Sequence, residues 1–360
     1  MKRLYILTLS SVLMAAGIFF LKKKPATTLS AGSGLVLPKE WLVNDKGILT
    51  PSKDIRPGDQ TFLTFPEWYL VFSPEEQANN FKKHTATTFP FVSHTAQIWE
   101  SYHIVSDQVA GNFPANKGYH FMIYVIGTSA STEYLIKAWY ETVAGRLTDT
   151  REVITEEDKF NAQFTQDYVE FIKDKPWYEF DFAKRLGALW QTSFSGGHIF
   201  RKIERRYWLT SELLVKVGYG KLIKMGTKTV YEDALPTTAV VVDKMPPASV
   251  GVSVIKQNDN GTVLLSLPRY NKFMLAACSL AKSGINFTEI AGNTSAILVS
   301  ILCPFGYSAQ YDNTKIVFTQ PVASDASMKR VVLAVRIGGL SSLLTTLMQD
   351  RVSIEHVFDY

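Results

Sequence analysis

Two cysteines in 360 residues, Cys278 and Cys303, are too few for a disulfide framework or a cysteine-rich metal module. They are either bridged to each other or two buried thiols. The signatures that cradle phosphate or activate a nucleophile are also missing: the chain has no Walker loop, G-x-G-x-x-G, G-x-S-x-G, H-E-x-x-H or C-x-x-C. Its six histidines stand apart at positions 84, 94, 103, 120, 198 and 356. No metal and no cofactor is expected. A field of one sign is absent too. The net charge is +5, but Lys2, Arg3, Lys22, Lys23 and Lys24 account for all of it, and the remaining basic residues equal the 33 acidic ones. A neutral body has no long-range attraction for phosphate polymers, so nucleic acid is not an expected partner.

What is present begins with those five charges. They bracket LYILTLSSVLMAAGIFFL, residues 4–21, in which no side chain is charged. As a helix this run would span about 27 Å, close to the hydrocarbon thickness of a bilayer. A cleaved signal peptide would have a shorter apolar core followed by a small-x-small site, whereas three lysines follow here. Residues 1–24 are therefore expected to be an uncleaved single-pass signal-anchor in the inner (cell) membrane. Lys2, Arg3 and the free amine balance the three lysines on the other side, so the flanking charges leave both orientations open, and the periplasmic side is the one expected for the bulk of the chain. Residues 25–60, with Pro, Gly and Ser in PATTLSAGSGLVLP and more prolines at 38, 51 and 57, predict an extended tether.

Beyond the tether the composition divides. All seven tryptophans fall between Trp41 and Trp208, and the Pro-bearing stretch EDALPTTAVVVDKMPPASV follows. This places a boundary near residue 232, between an aromatic-rich, all-helical domain over 61–231 and a second domain over 232–360. In the first, Thr64 and Glu67 read as a capping box, and Ser73-Pro74-Glu75-Glu76 as the start of another helix. Phe65, Trp68, Tyr69 and Phe72 share one helical face, so this aromatic stretch is expected to be core and not a ligand box. Helices are predicted over 93–110 and 119–144, from a Thr155–Asp158 cap, from Pro176, and over a long stretch after Gly196-Gly197.

The second domain has strand rhythm. VGVSVIKQ and TVLLSLPR flank a hairpin signal at Asn258-Asp-Asn-Gly261. A strand–helix–strand order appears twice, from TVLLSLP to INFTEIAG and from RVVLAVRI to VSIEHVFDY. The fold class expected is α+β, with the two β-α-β units interleaved as a ferredoxin-like plait and SAILVSILCP and TKIVFTQPV forming an added hairpin.

The segments GYHFMIYVIGTSASTEY, DKPWYEFDFAKRL and EHVFDY resemble stretches of an uncharacterised family of bacterial membrane-anchored proteins with no assigned activity. The resemblance runs over most of the chain from residue 61. It implies an anchored protein and carries over no site residue.

Candidate chemistry is sparse. Glu100 and His103 share a helical face, and with His120 they are the acid–base candidates for a membrane-bound enzyme. A bundle di-iron site needs the Glu-x-x-His motif twice, and it occurs here once. Glu133, Lys137 and Glu141 form a helical ladder expected on a solvated or interdomain face. His356 alternates with Ile354 and Phe358, as a core histidine would. Segment 198–228 carries eight basic residues with interleaved aromatics. Arg201, Lys202, Arg205, Arg206 and Trp208 are the residues expected to meet lipid headgroups, the other reading being an amphipathic helix with solvated charges. The function expected is a membrane-anchored, non-enzymatic binding or scaffold module, its helical domain contacting the bilayer or an apolar ligand and its plait a protein partner. The alternative is the enzyme using Glu100, His103 and His120.

Overall fold

The computed structural model describes residues 36–44, 47–149, 153–194, 197–230, 236–248 and 251–360. The expected anchor over 1–24 and the start of the tether lie outside these residues. Among the described residues no helix is long and apolar enough to cross a membrane. Over these described residues the fold is α+β, with eight helices and two antiparallel four-stranded sheets. It forms two compact units. The first takes the described residues of Glu67–Trp99 and Ile123–Ala234, and the second those of Ala26–Pro66, Glu100–Met122 and Leu235–Tyr360.

The first unit is helical. Helix α1, Gln60–Phe81, contributes from Glu67 onward, α2, Phe91–Val109, up to Trp99, and α3, Lys117–Tyr140, from Ile123. The two helix starts expected within α1 are absent: one helix runs through both Pro66 and Pro74. Thr64 does not cap it but donates its Oγ1 hydrogen to the Gln60 carbonyl at 2.6 Å. The core stripe is as expected, since Phe65, Trp68, Tyr69 and Phe72 are all buried, and that burial outweighs the local helix-breaking signals. Helix α4, Glu156–Ile172, starts at the expected box, with Thr155 and Asp158 capping each other's backbone amides. Helix α5, Phe182–Gln191, starts later than Pro176, where Asp181 accepts the Lys184 amide at 2.9 Å. Helix α6 spans Ile199–Val230, passing Gly218 and Gly220 without interruption.

The second unit departs from the plait. Its strands are β1 (Thr237–Val242), β2 (Ser253–Gln257), β3 (Val263–Pro268), β4 (Phe287–Ile290), β5 (Ala296–Pro304), β6 (Thr314–Pro321), β7 (Met328–Arg336) and β8 (Ser353–Val357). They form two sheets, ordered β2-β3-β1-β4 and β6-β7-β5-β8, so the two β-α-β units do not interleave. Helix α7, Asn271–Lys282, joins β3 to β4 across β1, and α8, Leu340–Gln349, joins β7 to β8 across β5. Each sheet thus repeats one β-β-β-α-β pattern. The plait reading missed β1, hidden between prolines, and paired β5 with β6, which β7 separates. A central strand inserted between the crossover strands completes a sheet from each unit alone, which removes the reason to interleave. The Asn258–Gly261 turn does join β2 to β3, with Gly261 at φ +85°.

The tether is pinned within this unit. Glu289 on β4 accepts the amides of Leu49 and Thr50, both at 2.8 Å, and the Arg56 amide donates to Ala291 at 2.9 Å. Strand β8 is an edge strand paired with β5, and the side chains that follow its alternation are deep. Phe358 is buried against Phe65, and His356 is buried edge-on to Phe358. Burial holds the His356 imidazole well below its ordinary value of 6.5. The folded chain therefore declines a proton that the unfolded chain accepts, so this residue's stability contribution is present above pH 6.5 and is lost as pH falls below it. Unfolding midpoints measured from pH 8 to 4.5 should fall toward acid by up to about 1.4 kcal/mol per pH unit from this group. In His356→Phe that part of the slope should vanish. An equal slope in both proteins would show that His356 does not titrate as described.

Candidate functional site

Helices α3 and α6 run antiparallel, as their contacts show in order. Tyr140 stacks on Trp208 with ring centroids 3.9 Å apart, Lys137 pairs with Glu212 at 2.8 Å, Glu133 with Lys216 at 2.9 Å, and Ser129 meets Tyr219 at 3.5 Å. The ladder expected on a solvated or interdomain face is therefore an interhelical seam. Against the burial that would raise it, Lys137 and Lys216 hold the Glu133 carboxyl well below the usual carboxylate range.

Deeper between the helices lies a charged interior. After Tyr140, α3 widens into a π-turn, Glu141–Gly145, which aims Glu141 inward. Arg205 donates to Glu141 at 2.7 Å and, through Nε, to Glu204 at 2.7 Å. Arg201 donates to Asp158 at 2.8 Å and lies 3.8 Å from Asp149, whose carboxylate also accepts from Thr85 and Thr87. Arg206 donates to Glu157 at 2.7 Å and to Thr192. Gly145 permits this approach, because a Cβ there would meet Glu141 Oε2 and lie 2.9 Å from Thr87. Burial raises the Glu141 carboxyl even beside Arg205.

These placements correct the expected headgroup contacts. Arg201, Lys202 and Arg205 are buried, Arg206 is nearly so and is spent on Glu157, and Trp208 is stacked on Tyr140. The pattern fails because positions 201, 205 and 209 form the buried row of α6, and neighbouring acids supply the partners that make buried arginine tolerable.

The outward row of α6 is the reverse. From Ile199 to Met225 its exposed side chains include Phe200, Ile203, Tyr207, Leu214, Val215 and Leu222, with Lys221 and Lys224 and no acid. Phe200 is 80% exposed and Tyr207 67%. On α3 and the turn after it, Val125, Ile136, Trp139, Val143 and Leu147 are exposed, again without an acid. Tyr134 of α3 and Leu209 and Leu213 of α6 pack into clusters that α4 serves through Ala162 and through Phe160 and Phe164. With α4 beneath both helices, the rows opposite their buried residues face outward on the same side. On this face the helical pair turns its arginines inward and presents mainly apolar side chains, the opposite of an ordinary solvated helix.

The acid–base candidates are not assembled. Glu100 is half-buried, its carboxyl raised by burial, and accepts weakly from Gln320 at 3.4 Å. His120 bonds Tyr102 at 2.8 Å, and His103 is exposed. All three belong to the second unit. An open cavity of about 200 Å³ lies in the first unit and is lined by Phe81, Lys82, Ile154 and their neighbours. None of the three reaches it. Among the described residues no cluster of ligands could hold a metal ion.

One constellation was missed. Ser73 Oγ bonds His94 Nδ1 at 2.8 Å, and His94 Nε2 faces Glu76 Oε2 at 3.3 Å. The i, i+3 spacing of Ser73 and Glu76 was its sequence signal. The order is that of a hydroxyl–imidazole–carboxylate relay, but Ser73 and His94 are fully buried, and neither lines the cavity. Ser73 also bonds Tyr134 at 2.7 Å, which ties α1, α2 and α3 together.

No family model, no curated protein and no solved structure matches the chain.

Proposed function

We propose that the protein is a membrane-anchored, non-catalytic binding module whose helical unit lies on the bilayer surface through the outward face of α3 and α6, leaving the second unit for a partner. The observation that carries this reading is the inversion of that helical pair. Buried arginines and an acid-free row of Phe200, Tyr207, Leu214 and Trp139 suit a helix lying in the interface between headgroups and acyl chains. The uncharged run over residues 4–21 suits the same location.

Each large apolar side chain withdrawn from water contributes about 1.5–3 kcal/mol, so a few suffice for measurable binding. A chain beginning at Val36 should co-sediment with lipid vesicles. The triple variant Trp139→Glu, Phe200→Glu, Leu214→Glu should lose that binding by at least about a hundredfold while keeping its helical circular dichroism, because these side chains are exposed. A parent chain that ignores vesicles, or a variant that binds as well, would end the proposal.

A further inference from the structure

Residues from the N-terminal side of the chain cover the end of the last strand in each sheet, and they do so by different means. Phe358 follows β8 and donates its amide to Leu298 of β5 at 3.1 Å, and Ala291 follows β4 and donates to Ala239 of β1 at 2.8 Å, so the two positions correspond. Over Phe358 lies the start of α1, where Phe65 is fully buried and stacked on the Phe358 ring. Over Ala291 lies the tether, and its grip is polar. Glu289, itself 2% exposed, takes the amides of Leu49 and Thr50, one on each carboxylate oxygen. The Ala291 carbonyl accepts the Arg56 amide at 2.9 Å. Asn44 donates to the Gly292 carbonyl at 3.2 Å and accepts the Thr294 amide at 3.0 Å. Thr50 is buried, but the side chains of Val43, Ile48 and Leu49 are exposed.

The surface under the tether is shaped for main chain. Ala291 at φ +50° and Gly292 at φ +82° make the turn that leaves β4, and the first is a strained conformation for a residue with a side chain. That turn presents the carbonyls of 291 and 292 to the tether. A surface that grips through main-chain amides draws affinity from an extended backbone and asks little of its side chains. Resting on the reading that the second unit serves a partner, we infer that Glu289 and the Ala291–Thr294 turn are its docking surface for an extended peptide of that partner. Asn44 and residues 47–56 are the built-in occupant that the peptide displaces. Among the described residues no cation pairs with Glu289, so neutral amides alone satisfy this carboxylate. A partner segment with a lysine or arginine beside its amides supplies the counter-charge that the tether does not, and charge-assisted bonds are the stronger ones.

The test uses the full chain and a fluorescent synthetic peptide of residues 43–56. In the parent, the attached copy holds the site at an effective concentration on the order of millimolar, so peptide at far lower concentration should not bind. Leu49→Pro removes one of the two donors to Glu289, and Asn44→Ala removes the grip on Gly292 and Thr294. In the double variant, hydrogen exchange of the Thr50 amide should accelerate at least about tenfold and the peptide should bind. Adding Glu289→Ala should abolish that binding. If Leu49→Pro prevents folding, Asn44→Ala alone, at an exposed residue, should show both effects to a smaller degree. A loosened chain that binds no peptide, or binds it equally well with Glu289→Ala, would overturn the docking surface. So would loss of the second unit's cooperative unfolding on loosening, because the tether would then be a fixed part of the fold. No lipid is present, so these failures leave the vesicle result for α3 and α6 untouched, and a chain that ignores vesicles leaves the peptide result standing.

Discussion

Replacing Arg205 by alanine should destabilise the protein by about 3–5 kcal/mol, the cost of breaking a buried ion pair from one side. Its guanidinium has no exposure, and it is the shared partner of Glu141 and Glu204. Removing it strands Glu141 in the interior and leaves Glu204 to Arg201, 3.3 Å away. Lysine should not rescue. One ammonium cannot reproduce the fork that reaches Glu141 through Nη1 and Glu204 through Nε and Nη2. Arg205→Lys should therefore lie between the parent and Arg205→Ala. Thermal or urea unfolding followed by tryptophan fluorescence is a suitable readout, since Trp208 sits three residues along the same helix. If alanine shifts the midpoint no more than an exposed lysine-to-alanine change does, the charged interior is not a supporting element of the fold.

A chain ending at Arg351 should fare worse. It loses β8, whose ladder with β5 spans Ser353 to Val357, and it loses the residues that follow. Arg330, fully buried, would lose Glu355, which it holds through two hydrogen bonds of 2.6 Å. Arg269 would lose Asp359, and Phe65 would lose the stacked ring of Phe358. Two stranded guanidiniums alone amount to several kcal/mol, comparable with the whole stability of an ordinary domain. The expected result is a second unit that does not fold: insoluble protein, or loss of its cooperative transition. A truncated chain with an unchanged transition would mean that β8 is dispensable and its pairing incidental.

Several features were legible from residue order alone because they are local. The Thr155–Asp158 cap needs partners three positions apart, and the core stripe from Phe65 to Phe72 follows from helical spacing. The hairpin at Asn258–Gly261 needs one residue that accepts positive φ. The α+β class follows from the change of rhythm near residue 232. Where local signals conflicted with burial, they lost: Ser73-Pro74 looks like a helix start, yet the helix continues through it because Phe72 and Ser73 before the proline and Gln77 and Ala78 after it are all buried. Strand pairing was beyond reach for a related reason. Nothing in SAILVSILCP or TKIVFTQPV says that β7 will lie between them, since sheet order is decided by which strands can share a hydrophobic face.

The basic segment is the clearest case of a decision made in three dimensions. Arginines at 201, 205 and 206 are the same side chains whether they face lipid, water or carboxylates, and their spacing on α6 is compatible with each. What turned them inward is the meeting of Glu157 and Asp158 from α4 with Glu141 of the π-turn and Asp149 just beyond it, residues distant in sequence from α6 that arrive at one place only when the helices pack. Residue order alone determined which side chains carry charge and which repeat at helical spacing. The tertiary structure decided which side of each helix is the interior, because a buried charge is tolerated only where a counter-charge has been brought to meet it.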